Sequence, residues 1–254
     1  MSKFQIEIDK IKTDVFGETL PSYHTTSIVK LKGIIEKNIF EGQLVHPIKE
    51  KGTFLFYGKP SYNVDNAKAF DTDTFPICII VKSEAYKIID AFPFDSGRFN
   101  HYFILREKNY DVNDFNLNKD AISFNKIIKV FYEDKVSYYD DIIKDGVSYY
   151  VENSILSDYA RHIRFRHVPN EVYDLRSRTI EIVIEDQSIL SAGVVTFILP
   201  SLFKRESSEH PIKAYIEKYN LNVCYYDELG LPPSTMRNNI MIATKNYLLK
   251  EKLI

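Results

Sequence analysis

The sequence predicts an α+β fold, with helices and strands following one another irregularly along 254 residues. Two observations carry that prediction. Segments with apolar residues at helical spacing are separated by short apolar runs of strand length, and they lack the regular strand-helix-strand order of a doubly wound sheet. Many of those runs can therefore pair antiparallel. The chain contains no internal repeat and no low-complexity linker, so a single domain over residues 1–254 is expected. Residues 83–173 read as a helical insertion in it and residues 201–254 as a C-terminal extension.

Taken in order, Phe4, Ile6 and Ile8 alternate with polar residues and predict an opening strand. Ser27 is placed to cap a helix carrying Ile28, Leu31, Ile34 and Ile35 on one face and ending near Asn38. Residues 52–58 read as an aromatic strand closed by Gly58 and Pro60. Residues 75–81 read as a fully buried strand, with Pro76 at its start where no ladder donor is needed. Residues 83–92 read as a short helix, residues 121–131 as a longer one built on Ile127, Ile128 and Phe131, and residues 138–163 as helical with a break near Gly146. Across residues 178–185, Ile180, Ile182 and Ile184 alternate with Thr179, Glu181 and Val183, which predicts a strand with one buried face. A second apolar strand spans residues 193–199 and is stopped by Pro200. A helix from about Pro211, a strand at Asn222–Tyr226 and a helix starting near Ser234 complete the chain.

Composition narrows the class. Hydrophobic residues at 44% and charged residues at 27% disfavour disordered, collagen-like and membrane chains. The departure from average is 18 Tyr and 17 Phe with no Trp, which supplies either stacking surfaces or, more simply, an aromatic core. Cys78 and Cys224 each sit in a short apolar run and read as buried strand residues, which fits a reducing compartment. The N-terminus lacks the apolar core of a signal peptide and no run approaches a membrane span, so a soluble cytoplasmic protein without membrane contact is expected. A formal charge of -2 argues against a broad sequence-independent grip on nucleic acid, though a local basic patch remains open.

The chain has no phosphate loop, no Gly-x-Gly-x-x-Gly, no Gly-x-Ser-x-Gly elbow and no His-Glu-x-x-His. His162 and His167 lie close in sequence, yet no cysteine or carboxylate completes a metal site at recognisable spacing. Three segments remain, in a telling order. Tyr23-His24-Thr25-Thr26-Ser27 leads into a helix. Gly52-Thr53-Phe54-Leu55-Phe56-Tyr57-Gly58-Lys59-Pro60-Ser61-Tyr62 precedes a buried strand. Asp174-Leu175-Arg176-Ser177-Arg178-Thr179-Ile180-Glu181 opens a late strand. Together they resemble the ADP-ribosyltransferase superfamily, most closely the DarT-like toxins that modify DNA, over about a fifth of the chain.

The resemblance implies an ADP-ribosyltransferase-like split mixed/antiparallel sheet with flanking helices, NAD as substrate, and a toxin or phage-defence role. It implies Glu181 as the catalytic carboxylate. Cleaving the nicotinamide-ribose bond develops positive charge on the ribose, which a neighbouring carboxylate stabilises. Glu181 lies on the non-isoleucine face of its strand, where it reads equally as an outward, solvated carboxylate. His24 and Thr26 would hydrogen-bond the second ribose and the nicotinamide amide, while Tyr57 or Tyr62 would stack on the nicotinamide ring. In the plainer alternative Thr26 or Ser27 caps the helix, and His24, Tyr57 and Tyr62 are core. Lys59, the second catalytic position the resemblance implies, stands where the DarT-like pattern often has an arginine, and an ammonium replaces bidentate binding with a point charge. Arg161, Arg164, Arg166, Arg176 and Arg178 either neutralise the NAD pyrophosphate, grip a phosphate-bearing target, or form a charged solvated face. Asp95, in Pro93-Phe94-Asp95-Ser96-Gly97, reads as turn chemistry.

The resulting expectation is an enzyme that transfers ADP-ribose from NAD to a macromolecule, nucleic acid before protein, with an antitoxin or regulatory protein as partner. The alternatives are an NAD glycohydrolase and a non-catalytic binding module with the same fold. A metal-dependent nuclease built from Asp71, Asp73 or Asp95 stands further off.

Overall fold

The structure is a computed structural model of the chain and describes residues 1–45, 50–61, 72–82, 84–146, 154–164, 175–190, 192–229, 231 and 233–254. Where one domain was expected, the chain divides into two compact units. The first comprises Met1–Thr19, Gln43–Gly52 and Ile88–Ile184; the second comprises Leu20–Gly42, Thr53–Lys87 and Glu185–Ile254. The fold mixes helices with a mostly antiparallel sheet, as the α+β prediction requires.

The first unit opens with helix α1 (Lys3–Lys10), not the expected strand. Ser2 starts it, its Oγ accepting the Gln5 N–H at 3.0 Å. Phe4 and Ile8 are fully buried and Ile6 is 44% exposed, so the apolar pattern is the i, i+4 stripe of a helix and not the i, i+2 stripe of a strand. Residues 83–92, expected to be helical, instead end in strand β6 (Ile88–Phe92). It pairs antiparallel with β7 (Glu181–Ile184), placing Phe92 opposite Glu181 and Ala91 opposite Ile182. β7 is shorter than expected and buried on both faces, and a 3-10 turn at Leu175–Arg178 precedes it. The expected helix at residues 121–131 is α4 (Ala121–Tyr132), capped by Asp120. The long helical stretch expected over residues 138–163 resolves into α5 (Lys135–Tyr139) and α6 (Ile155–Arg164), with Gly146 at φ 76° between them. Phe4, Phe94, Phe115, Phe131 and Tyr159 pack ring against ring with centroids 4.9–6.3 Å apart. The aromatic excess is therefore largely core.

In the second unit, β1 (Ser22–Ser27) pairs antiparallel with β5 (Pro76–Val81) and, through Ser22 and Tyr23, with the end of β4 (Glu50–Tyr57). β5 continues antiparallel to β9 (Val194–Pro200), which runs parallel to β10 (Asn222–Tyr226). Ile77, Ile79 and Val81 of β5 face helix α2 (Ile28–Lys37), and α7 (Pro211–Lys218) packs into the same core through Ile212 and Tyr215. α2 ends at Asn38 in the left-handed conformation, as expected. Its first N–H, from Ile28, is satisfied by the Phe75 carbonyl, and Ser27 makes no capping hydrogen bond with its side chain. α8 (Pro233–Lys250) completes the unit. Cys78 on β5 and Cys224 on β10 both stand opposite Ile198 with β9 between them. Two strand spacings, about 10 Å, exceed the reach of a disulfide. No described helix is long and apolar enough to cross a membrane.

Candidate functional site

Glu181 is the first residue of β7, where the strand emerges from the Arg-containing 3-10 turn. Its partner strand β6 ends opposite it at Phe92, and the chain then turns through Pro93, Phe94 and Asp95 into a short 3-10 helix, Ser96–His101. That turn delivers Ser96 to the carboxyl of Glu181. Both the Ser96 N–H, at 3.1 Å, and the Ser96 hydroxyl, at 2.5 Å, donate to Oε1. Asp95 occupies the N-cap position of the short helix but makes no capping hydrogen bond with its side chain. Its carboxylate instead stands 3.7 Å from the Arg176 guanidinium, and its N–H donates to the Arg176 carbonyl at 2.9 Å.

The electrostatics of the cluster are asymmetric. Glu181 is 2% exposed. Burial pushes its carboxyl well above the ordinary value of 4.5; the Asp95 carboxylate adds to that push and Asp90 contributes less, while the two Ser96 hydrogen bonds pull the other way. The folded-state carboxyl therefore stays un-ionised to higher pH than a free one. The alternative of an outward, solvated carboxylate is excluded.

Tyrosine hydroxyls fix the backbone on both sides of this cluster. Tyr138 accepts the Ile180 N–H at 3.0 Å, and Tyr132 donates to the Arg178 carbonyl at 3.3 Å. Tyr159 donates to the Pro93 carbonyl at 2.9 Å and Tyr102 to the Asp95 carbonyl at 3.0 Å. Each ring is buried, so each hydroxyl is an obligatory hydrogen-bonding group that locks one peptide. Arg178 is buried as well, and its charge opposes the burial-driven rise of the Tyr132 and Tyr159 phenols. Arg161 is largely exposed, and Arg164 donates to the Lys144 carbonyl at 2.5 Å. The predicted arginine cluster is thus dispersed among separate structural duties. Arg166 lies outside the described residues.

The other predicted residues belong to the second unit. His24 and Thr26 lie on the face of β1 that looks toward α2, opposite Ile79 and Ile77. His24 Nδ1 is 3.0 Å from the Phe54 carbonyl, and because a carbonyl only accepts, Nδ1 carries the hydrogen and Nε2 is left as an acceptor. Burial pushes the His24 pKa down, more than the Phe54 hydrogen bond raises it, and the ring edge meets Phe40 at 5.2 Å. Thr25 donates to the Ser61 carbonyl. Tyr57 is fully enclosed with its hydroxyl accepting the Leu20 N–H at 3.0 Å, so it takes the core role. Lys59 is also fully enclosed, which does not fit a solvent-facing point charge for a diphosphate. Tyr62 lies outside the described residues, as does Asp71 of the nuclease alternative.

Sequence reasoning passed over Ser96 and read Asp95 as turn chemistry or a nuclease ligand, not as a neighbour of Glu181. The turn was recognised, but what it delivers to Glu181 lies 85 positions away along the chain, a separation that no local motif encodes. Among the described residues no group of three His, Cys, Asp or Glu side chains could hold a metal ion. No family model matches the chain, and neither does a curated protein or a solved structure.

Proposed function

We propose that this chain cleaves NAD and transfers ADP-ribose to a macromolecular acceptor, nucleic acid before protein, with an ADP-ribosyltransferase-like fold and a role as a cytoplasmic toxin or phage-defence effector. One observation carries the reading: Glu181 is a carboxyl at a strand start, removed from water, fixed by two hydrogen bonds from Ser96 and backed by an Asp95–Arg176 pair. A carboxyl so fixed grips a ribose hydroxyl without reorganising and positions the glycosidic bond for cleavage. The test is incubation with NAD labelled in the adenylate, together with sheared DNA and total RNA. Nicotinamide release with label on nucleic acid is the expected result. Release without transfer reassigns the chain as an NAD glycohydrolase, and no release refutes NAD cleavage.

The enclosure of Tyr57 and Lys59 favours a second reading, a non-catalytic module that binds a protein or nucleic-acid partner. Calorimetry separates the two, because the module gives no heat with NAD while retaining a stable partner in pull-downs.

A further inference from the structure

We propose that Asp95 is the base of the Glu181 site: its carboxylate takes the proton of the acceptor as ADP-ribose is transferred, while Glu181 acts beside it as a hydrogen-bond donor. The assignment rests on reading the site as an NAD-cleaving one and adds the division of labour between its two acids.

The geometry distinguishes the two carboxyl groups in three ways. Arg176 stands 3.7 Å from Asp95, whereas no cation among the described residues forms an ion pair with Glu181. Both Ser96 donors converge on Oε1 of Glu181, so the hydrogen of the neutral acid sits on Oε2, where it can be donated. The Asp95 side chain keeps 14% of its surface in solvent, while Glu181 as a residue keeps 2%. An incoming hydroxyl therefore meets Asp95 first. The groups that face Glu181 are Asp90 from β6 and Asp95 and Ser96 from the turn, with Arg176 behind Asp95. Asp90 turns its Oδ1 back onto the Ala91 N–H at 3.0 Å, and its negative charge adds to the upward push on the Glu181 carboxyl. Neighbouring carboxyl groups cannot all ionise in a site poor in water, and the one deepest from solvent and without a cation is the one that stays neutral. Two acids driven apart in this way supply one donor and one base.

The step balances without a further reactant. The acceptor hydroxyl gives its proton to the Asp95 carboxylate, and its oxygen bonds to the anomeric carbon of the nicotinamide ribose. The bond from that carbon to the pyridinium nitrogen breaks, and the electron pair leaves on nicotinamide, which departs neutral. Oε2–H of Glu181 donates a hydrogen bond to a ribose hydroxyl throughout. Ser96 acts as a positioning residue, holding the Glu181 carboxyl so that Oε2 is the free end.

The experiment has two arms on the full chain. The first follows the infrared carbonyl stretch of un-ionised carboxyl groups near neutral pH in wild type, Glu181→Gln and Asp95→Asn. The expected band is present in wild type, lost in Glu181→Gln and kept in Asp95→Asn; loss in Asp95→Asn with retention in Glu181→Gln overturns the assignment. The second arm measures nicotinamide release and label transfer from NAD to total RNA, whose 2′-hydroxyls supply the acceptor, across pH. Removing a general base lowers kcat/KM about 100-fold or more. Asp95→Asn is expected to show that loss together with disappearance of the acid limb of the pH profile, and Glu181→Gln to lose rate while keeping the limb. An Asp95→Asn protein that keeps wild-type rate and limb overturns the base role while leaving NAD cleavage standing. An inactive wild type that shows the expected band pattern sinks the NAD reading and the base role together, and the acid assignment of Glu181 survives.

Discussion

Replacing Glu181 with Gln gives a pH-dependent gain in stability that follows from burial of the carboxyl. In wild type the folded-state pKa is raised above the ordinary 4.5 of the unfolded chain. Below that value both states hold the proton and the contribution of Glu181 to stability is fully present. As the pH rises, the unfolded chain ionises while the folded one does not, and stability is lost until the pH passes the folded pKa. The slope approaches about 1.4 kcal/mol per pH unit for one proton. Gln never ionises, and its amide oxygen still accepts from the Ser96 N–H and hydroxyl, so the variant keeps the two hydrogen bonds without that loss. Asp90, Asp95 and Arg176 remain in both proteins, and their own titration largely cancels in the difference. In a chain of this size 1 kcal/mol moves Tm by about 2–4 °C, so Tm of the variant gains on wild type by roughly 3–5 °C per pH unit inside the window. Thermal melts of both proteins in steps from about pH 4 to about pH 8 read this directly. Parallel curves, or a variant less stable by the same amount at every pH, refute the claim that Glu181 is folded in its neutral form.

Three further outcomes are expected. Ser96→Ala removes the hydroxyl that pulls the Glu181 carboxyl down, so the pH window of the melts extends upward, with a loss of about 0.5–1.5 kcal/mol from the missing hydrogen bond in urea denaturation. Ile8→Ala costs about 2–5 kcal/mol of stability whereas Ile6→Ala stays within about 0.5 kcal/mol, a contrast that a strand over residues 4–8 would not produce and that paired chemical melts detect. Gly193→Ala lowers Tm, because the backbone there has φ 75° and an added Cβ falls 2.4 Å from the Ala85 Cβ; an unchanged melt contradicts that geometry.

Legibility in the sequence followed the length of the signal. α2, α4, α7, β5, β9 and β10 were readable because each combines several apolar positions with a terminator, such as Asn38 after α2 or Pro200 at the end of β9. α1 was not, because three alternating residues fit a strand and a helix equally and only the Ser2 cap, spent on the Gln5 N–H, breaks the tie. β6 was missed for a related reason. Ile88-Ile89-Asp90-Ala91-Phe92 is too short to carry a period, and its strand character comes from pairing with β7, where Asp90 meets Val183, Ala91 meets Ile182 and Phe92 meets Glu181 far along the chain. Burial of both faces of β7 was equally invisible, since alternation of Ile with Glu and Thr is what a half-exposed strand also shows.

The site was half legible for a physical reason. Glu181 was singled out by the resemblance and not by the strand pattern, where it reads equally as outward and solvated; buried, a carboxyl costs stability unless something compensates. What compensates is distributed: Ser96 supplies the hydrogen bonds, and Tyr102, Tyr132, Tyr138 and Tyr159 hold the peptides around Asp95, Arg178, Ile180 and Pro93. Composition registered those phenols only as an aromatic excess. A phenylalanine at each position would fill the same core and leave a buried carbonyl or N–H without its partner, a penalty of about 1–3 kcal/mol per group. Tyrosine is thus required at these four positions by the backbone that presents Asp95, Ser96 and Glu181, and the abundance of tyrosine in this chain is in part a property of that presentation, set by polar groups that no pattern along the sequence connects.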